Sequence, residues 1–545
     1  MSAPTNRSAG LDGASLDAVV IGGGMAGAGV ARDLALRGVS VALFEKGDFA
    51  SGTSSKSSKL IHGGLRYLEL GDFQLVRESL REKKTLERLA PHLVRPLPFL
   101  VPVYRGAARG LIKVRLGMWL YDLLTPGKAT ERYRMLKPLD ALTMEPSVRA
   151  EDLRGAGYYV DDLLLYPERL CLENVLSAAR HGARTFNYCE VEEFVSGSRG
   201  LEGVKVRDLL SGQVQAIRAR VVVNCAGPWV DRLRALAGVA ERTPRLLRVT
   251  KGIHCLLPRM TDRAIYLSAR DERMIFVIPW REFSLVGTTD TDFDGDPDRL
   301  WATRDEVTYL LGEVAKVVPD KRVAIENVAY TYAGVRPLSF EPGRSASAVS
   351  REHRVVPEGP DGRFLSITGT KLTCFRSLAE DVGDRVMRAL GKSGGSRTAR
   401  AMLDGTDEAA GKVEVRAWMD VSEEMAATGL SRATLRMLVE TYGRAYPRVL
   451  ELGRKLPDGF ERLCPSNPEI VAQLHHAMRE ELAVTLQDVL LRRTGIGQSR
   501  CQGLDCAEPI AARMAEVAGW SRRRLDAELE AYSQHVELSR RFRRQ

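Results

Sequence analysis

Short apolar runs alternating with segments of helical period set the pattern of the chain's first hundred residues. Positions 17–21, Asp-Ala-Val-Val-Ile, read as a short buried strand running into Gly22-Gly23-Gly24-Met25-Ala26-Gly27, after which Val30, Leu34 and Leu36 recur at helical spacing. Gly38 stops that helix, and 39–44 makes a second apolar strand ending at Glu45. A charged, periodic helix is expected over 73–89; Pro91, Pro96 and Pro98 end it and lead into a strand at 99–104. Residues 190–212 read as antiparallel strands with turns. Residues 220–229 and 365–373 each read as an apolar strand entering a glycine turn and then a helix, the second helix running through Leu378 and Val382. From 413 the pattern is helical to the end, 480–494 included. The fold class is α/β: a Rossmann-like domain built from separated segments, an inserted antiparallel sheet and a C-terminal all-helical domain.

Candidate chemistry gathers on the first of these turns. Gly22, Gly24 and Gly27 form G-x-G-x-x-G between a strand and a helix. The first glycine permits the tight turn, the second lets backbone approach a pyrophosphate, and the third lets helix and strand pack closely. Glu45 stands where an acid holds a ribose hydroxyl. The run Thr53-Ser54-Ser55-Lys56-Ser57-Ser58-Lys59-Leu60-Ile61-His62-Gly63-Gly64-Leu65-Arg66-Tyr67 then offers hydroxyls and bare backbone to a flat ligand.

From Ser54 to Glu69 this run resembles the FAD-dependent glycerol-3-phosphate dehydrogenases of the aerobic, quinone-linked type. The resemblance continues through Asn224-Cys225-Ala226-Gly227-Pro228-Trp229, Lys251-Gly252-Ile253-His254, Gly334-Val335-Arg336-Pro337-Leu338 and the C-terminal helices. At Gly369-Thr370-Lys371-Leu372-Thr373, Thr370 replaces the family's second glycine and Phe375 its tyrosine. The resemblance implies non-covalent FAD. Its contacts would be Gly22, Gly24, Gly27, Glu45, Thr53, Ser54, Ser55, Ser58, Leu60, His62, Gly63, Gly64, Ala226, Gly227, Trp229, Gly334, Arg336, Gly369, Lys371, Leu372 and Thr373. It implies substrate binding by Arg66, Tyr67, His254, Arg336 and Lys371, with His254, Arg336 and Lys371 catalytic; either His254 or Lys371 would take the substrate's hydroxyl proton. Strands 276–280 and 287–290 suit either the substrate face of the sheet or its core. The family's acid pair is followed at once by Ala/Ser-Arg-Leu. Here Leu163-Leu164-Leu165-Tyr166-Pro167 reads as an insertion between Asp161-Asp162 and Arg169, which removes the basis for carrying over their roles.

Composition adds limits. With 545 residues, 44% hydrophobic and 28% charged, the chain has room for two or three domains and a large core. The net charge of +10 suits an anionic substrate or membrane surface; no nucleic-acid-reading motif accompanies it, and nucleic acid is not expected as a partner. Eight cysteines without a C-x-x-C pair read as ordinary thiols of a reducing compartment, and no metal site is expected. Residues 1–16 read as a disordered leader and 391–411 as a linker, with the helical domain over 412–545 and a frayed basic tail at 540–544. Within the FAD-dependent domain, 17–390, the cofactor segments are expected near 17–90, 185–250 and 350–390, and substrate segments near 91–184 and 251–349. No apolar run of about 18 residues is present, so a spanning helix is not expected. Residues 105–124 set Arg105, Arg109, Lys113 and Arg115 among Leu111, Ile112, Leu116, Trp119 and Leu120. That pattern fits a helix packed on the substrate domain or one lying on a bilayer; the resemblance favours the bilayer.

The resulting expectation is oxidation of sn-glycerol 3-phosphate to dihydroxyacetone phosphate, with hydride passing from C2 to flavin N5 and electrons to quinone. The protein would be cytoplasmic and attached to the inner face of the cell membrane; a homodimer is compatible with the sequence. The alternatives are a flavin oxidase of the same fold, using oxygen or acting on an amine, and a membrane-surface binding protein with structural FAD.

Overall fold

The computed structural model describes residues 13–125, 131–197, 200–240, 245–271, 273–344, 349–369, 371–406 and 420–544. Residues 1–12 of the expected leader, 407–411 of the expected linker, the first residues of the helical domain to 419, and Thr370 lie outside these. Ser15 and Leu16, assigned to the leader, already belong to the first strand, Ser15–Ile21.

That strand is apolar because both its faces are covered. It pairs in parallel with Val41–Phe44 on one side and Val214–Asn224 on the other. Arg184–Phe186 extends the sheet beyond Val41–Phe44, while Phe364–Thr368 and then Arg354–Glu358 extend it beyond Val214–Asn224. Parallel strands buried on both faces read as continuous Val/Ile/Leu runs. The helix Met25–Leu36 is buried nearly all round, and the helices Pro167–Arg180 and Phe375–Leu390 share its core. Pro167–Arg180 had been expected among the substrate segments. The expected insertion is not a loop: Leu153–Leu164 is one continuous strand and Pro167 opens the next helix.

The second sheet is largely antiparallel and takes strands from Leu60–Ile61 to Tyr330–Ser339. Val94–Tyr104 begins earlier than expected, because Pro96 and Pro98 are accommodated within the strand paired to Leu153–Leu164. The central pair, Leu247–Pro258 and Tyr330–Ser339, turns Ile253, Cys255 and Leu257 onto a core shared with the helix Arg304–Ala315. Its other face looks into the molecule's large cavity.

Six helices of seven residues or more follow residue 420, from Ser422–Thr428 to Arg522–Arg540, among the described residues. The helix expected across 480–494 breaks after Glu480, because Glu481 is drawn inward to pair with Arg169 and His476. The tail is not frayed: Phe542 is 0% exposed in the second sheet's outer core, Arg541 lies 4.0 Å over Trp301, and Arg543 donates to the carbonyls of Val328 and Ala329. Of the expected linker, 396–406 is packed on Met25–Leu36: Ser396 hydrogen-bonds Asp33, Arg32 donates to the Ala401 carbonyl, and Leu403 is buried.

The C-terminal helices join the first sheet at Asp48. Its buried carboxylate accepts from Arg492 at 2.5 Å, Arg493 at 2.8 and 2.9 Å, and Asn187 at 2.9 Å. Burial pushes this carboxyl up, but Arg493 and Arg492 outweigh burial and hold it well below 3.8. Its stabilisation is therefore complete above pH 3.8 and is lost as pH falls toward the folded value. Asp48→Asn should destabilise by ~3–5 kcal/mol at neutral pH, since it leaves buried arginines without their counter-ion. The gap from wild type should close as pH drops below 3.8 in chemical denaturation; a gap independent of pH would contradict this.

Candidate functional site

One cavity of about 2210 Å³ runs between the two sheets, roughly twice the upper end (about 1,000 Å³) of ordinary small-ligand pockets. The glycine turn forms part of its wall. Gly22 has φ +102°, and a Cβ there would lie 2.6 Å from the Cys225 carbonyl oxygen. A Cβ on Gly27 would lie 1.9 Å from the Gly22 oxygen, so Gly27 serves helix–strand packing behind the wall and not the cavity surface. The helix Met25–Leu36 starts at Gly24 with no acid in its first turn, and its Met25 amide donates to Ser54 Oγ at 2.9 Å. Backbone donors and the positive end of a helix dipole suit an anion. Glu45 closes the turn, accepting from the amides of Gly23 at 2.6 Å and Gly47 at 2.7 Å. Burial raises its pKa and those amides offset part of the rise. Across the cavity lie Ala226, Gly227 and Trp229. Lys46 stands 4.2 Å over the Trp229 ring, and Asp298 accepts from both; neither Lys46 nor Asp298 had been singled out.

The second sheet supplies the opposite wall through one register. Thr250 faces Arg336, Gly252 faces Gly334 and His254 faces Tyr332, and side chains at paired positions share a face of the sheet. Glycine makes room for the functional side chains. A Cβ on Gly252 would meet Arg336 Nη2 at 2.3 Å, and one on Gly287 would meet His254 Cδ2 at 2.3 Å. Lys251 points to the other face, where it pairs with Glu306 at 2.7 Å. His254 Nε2 is hydrogen-bonded to Ser58 Oγ at 2.9 Å, and the ring stacks on Tyr332 at 4.8 Å. Its Nδ1 is buried without a hydrogen-bond partner among the described residues. Burial, then the charges of Arg336 and Lys59, keep this imidazole neutral well below pH 6.5.

Beside His254 lies a cluster of guanidinium groups. Arg336 donates to Thr288 Oγ1 at 2.9 Å, the Thr289 carbonyl at 3.0 Å and Asp290 at 3.2 Å, and Arg351 donates to Asp290 at 3.1 Å. Arg66 and Tyr67 line the same cavity, and the charge of Arg66 acts on Asp290, Tyr67 and Arg336. Burial opposes ionisation of Asp290, but Arg336 and Arg351 outweigh it and hold the carboxyl below its usual range. Arg336 and Arg351 share this one carboxylate, so the pair carries one positive charge in excess of it. Arg351 was not foreseen: it sits in Ser-Arg-Glu-His, where no motif marks it, and only the pairing with Asp290 brings it here.

Lys371 lines the cavity but is engaged elsewhere than expected. Its amine donates to the carbonyls of His62 at 2.8 Å and Gly63 at 3.0 Å and to Ser79 Oγ at 2.9 Å. Burial lowers it to about 8, yet all three ammonium protons have acceptors, so it clamps the 62–64 turn and has no proton to spare for an anion. Tyr121 fixes the same turn: it accepts from the Gly63 amide at 2.7 Å and donates to Asp161 at 2.8 Å. The Tyr121 ring fills the space a Cβ on Gly63 would occupy, which places Gly63, like Gly27, behind the cavity wall. The acid pair therefore lies outside the cavity, Asp161 bound to Lys83 and Tyr121. Arg169 is buried against Glu173 and Glu481. The other residues expected at the cofactor, Thr53, Ser54, Ser55, Ser58, Leu60, His62, Gly64, Gly334, Gly369, Leu372 and Thr373, all line the cavity.

Residues 17–366 match the family described as FAD dependent oxidoreductase, and residues 396–525 match the C-terminal domain of alpha-glycerophosphate oxidase. A glycerol-3-phosphate dehydrogenase of Synechocystis sp. is 36% identical over 97% of this chain and 97% of its own. An aerobic glycerol-3-phosphate dehydrogenase of Staphylococcus aureus is 34% identical over 96% of this chain and 93% of its own. The structure of the glycerol-3-phosphate dehydrogenase from Bacillus halodurans, complexed with FAD, superimposes with a TM-score of 0.82 at 28% identity, covering 98% of this chain and 97% of that one.

His62, like His254, is held neutral well below pH 6.5, by burial first and then by Lys371. The unfolded chain therefore takes up protons that the folded one refuses. Stability should therefore fall as pH drops below 6.5, at up to ~1.4 kcal/mol per pH unit for each histidine. Denaturation midpoints of the ligand-free protein measured between pH 7.5 and about 5 check this. His254→Gln should flatten the slope, and an unchanged slope would place its titration elsewhere.

Proposed function

This chain belongs to the FAD-dependent glycerol-3-phosphate dehydrogenases, and on that footing we propose that it oxidises sn-glycerol 3-phosphate to dihydroxyacetone phosphate and passes the electrons to a membrane quinone. The observation that carries the substrate is the pair of arginines, Arg336 and Arg351, on the single carboxylate of Asp290, with Arg66 and Tyr67 in the same cavity, next to a neutral histidine and the glycine turn. A phosphomonoester carries nearly two negative charges at neutral pH, and its removal from water needs such a counter-charge already in place.

The residues present fit FAD. Gly22 and Gly24 leave bare backbone beside an acid-free helix N-terminus, Glu45 and Trp229 would stand at the ribose and adenine end, and Gly334 and Gly369 line the same cavity. The chemistry that bound FAD supplies is acceptance of the C2 hydride at N5 and its onward passage as electrons. The chain's own part is to hold and to move a proton. Arg66, Arg336 and Arg351 grip the phosphate, with the Tyr67 hydroxyl as a neutral donor. Asp290 aligns Arg336 and Arg351 and keeps their mutual repulsion in check. His254, steadied by Ser58 and Tyr332, accepts the C2 hydroxyl proton, a task for which a neutral imidazole is suited. Lys371 acts through the turn it clamps. The family description of the C-terminal domain, alpha-glycerophosphate oxidase, keeps oxygen as the second candidate acceptor. Oxygen uptake set beside reduction of a quinone analogue separates the two.

Attachment to an anionic lipid surface on the cytoplasmic side follows from the quinone. Among the described residues no helix is long and apolar enough to cross a membrane. The helix Leu111–Leu124, which starts after Gly110, exposes Ile112 (86%), Leu116, Trp119 and Leu123 (66%) at positions that recur along one face. Lys113 is partly spent on Glu69, 3.3 Å away, so the apolar stripe matters more here than charge.

Two predictions follow from this geometry. Arg336→Met and Arg351→Met should retain FAD, yet each should lose about tenfold to a hundredfold in kcat/KM, the worth of a charged hydrogen bond of ~1.5–3 kcal/mol. Anaerobic bleaching of the flavin by glycerol 3-phosphate, beside glycerol and amino acids, reads the substrate directly; full activity in both variants would remove the phosphate assignment. Trp119→Glu with Leu123→Glu should abolish co-sedimentation with anionic vesicles while leaving the thermal midpoint unchanged. Undiminished binding would return this helix to an ordinary surface role.

A further inference from the structure

Away from the cavity, the C-terminal helices bring three cysteines and a carboxylate together. Cys464 precedes the helix Val471–Glu480, and Cys501, Asp505 and Cys506 lie in the turn that opens the helix Ala507–Ala518. The Cys464 sulfur is 3.9 Å from that of Cys501 and 3.5 Å from Asp505 Oδ1. Ligand atoms of Cys464, Asp505 and Cys506 all lie within 4.8 Å of one another.

These separations suit a metal better than a disulfide. Tetrahedral zinc, with Zn–S about 2.3 Å and Zn–O about 2.0–2.2 Å, sets its ligand atoms about 3.5–3.8 Å apart. Disulfide sulfurs stand about 2.05 Å apart, so Cys464 and Cys501 would have to close roughly half their distance and would still leave a third thiol beside them. N–H groups face two of the sulfurs. Asn467 Nδ2 donates to Cys464 at 3.0 Å and Cys501 at 3.3 Å, and the Gly503 amide donates to Cys501 at 3.3 Å. N–H groups aimed at sulfur are the outer partners that orient metal thiolates. Cys464 and Cys506 are buried, Cys501 is half-buried and Asp505 is exposed, which gives the ion an entry on the carboxylate side.

We propose that Cys464, Cys506 and Asp505 bind one divalent cation of the zinc class in a structural site, and that Cys501, 3.9 Å from Cys464, turns in as the fourth ligand when the ion binds. Binding forms three metal–sulfur bonds and one metal–oxygen bond, and the three thiol protons leave for solvent. The ion closes the segment before it into a fixed loop. That loop carries Gly497, Gln498 and Gln502 to the cavity wall and is docked on the second sheet by Tyr330, whose hydroxyl donates to the Gln498 carbonyl at 2.8 Å. The site thus stiffens a wall of the cavity without touching its chemistry.

The test uses the full-length, FAD-loaded protein purified without chelator. Elemental analysis should find about one zinc per chain, lost on treatment with a strong chelator together with a fall in thermal midpoint. Cobalt added to the chelated protein should develop thiolate-to-metal absorption in proportion to one site. Cys464→Ser with Cys506→Ser should abolish that absorption; if this variant fails to fold, the cobalt titration of the wild type decides alone. Wild-type protein that holds no stoichiometric metal and gives no cobalt–thiolate band would overturn the proposal. So would an intact mass lowered by the two hydrogens of a Cys464–Cys501 disulfide.

Discussion

A carboxylate removed from water must be answered by charge, and the answer to Asp48 comes from 444 and 445 residues away. The loop that carries Asp48 also carries Glu45 and the start of the serine-rich run, so the C-terminal helices are fastened at the point where the dinucleotide turn meets the cavity. Arg492 lines that cavity while holding Asp48 and Asp488, and Tyr188 completes the cluster through Asp488. The ion pairs at this joint are buried, so their favourable geometry depends on the packing around them, and that packing depends on them. The helical domain is in this sense a wall of the site.

The polar face of the second sheet follows a related logic. A guanidinium and an imidazole lie flat on a sheet only where the neighbouring strand gives up its side chain, and Gly252 and Gly287 do so. Asp290 then allows Arg336 and Arg351 to sit close together, because their mutual repulsion is offset by a shared carboxylate. A side chain in place of Gly252 would displace the Arg336 guanidinium and one in place of Gly287 the His254 ring, whereas removing Asp290 would leave the guanidinium groups without the carboxylate that aligns them. Position and charge are thus set by different residues.

Local rules made much of this legible. The glycine turn, the helix at 73–89 and the strand-to-turn elements at 220–229 and 365–373 are written in contiguous residues, where turn chemistry and periodicity act over a few positions. That Arg66, Tyr67, His254 and Arg336 reach the cavity could be read because each lies in a short contiguous motif with a glycine. Arg351 could not, since its significance is a contact with Asp290, 61 residues away. The partners of Lys371 were not legible for the complementary reason: its motif is local, but the carbonyls and hydroxyl that accept its hydrogen bonds belong to distant segments. The tail looked frayed because four arginines surround one phenylalanine; the pocket that buries Phe542 is made by other parts of the chain.

The helix Leu111–Leu124 has two contrasting faces. Ile112, Leu116, Trp119 and Leu123 look outward, while Tyr121 reaches inward to the Gly63 amide and the Asp161 carboxylate. The fit leaves no slack, since a single added carbon on Gly63 would stand 2.5 Å from the Tyr121 oxygen. This helix cannot slide or roll without dragging the turn that Lys371 grips from the other side. A surface bound through this helix, as proposed, would therefore set the compass bearing of the cavity: the angle of docking would be the angle at which the cavity opens.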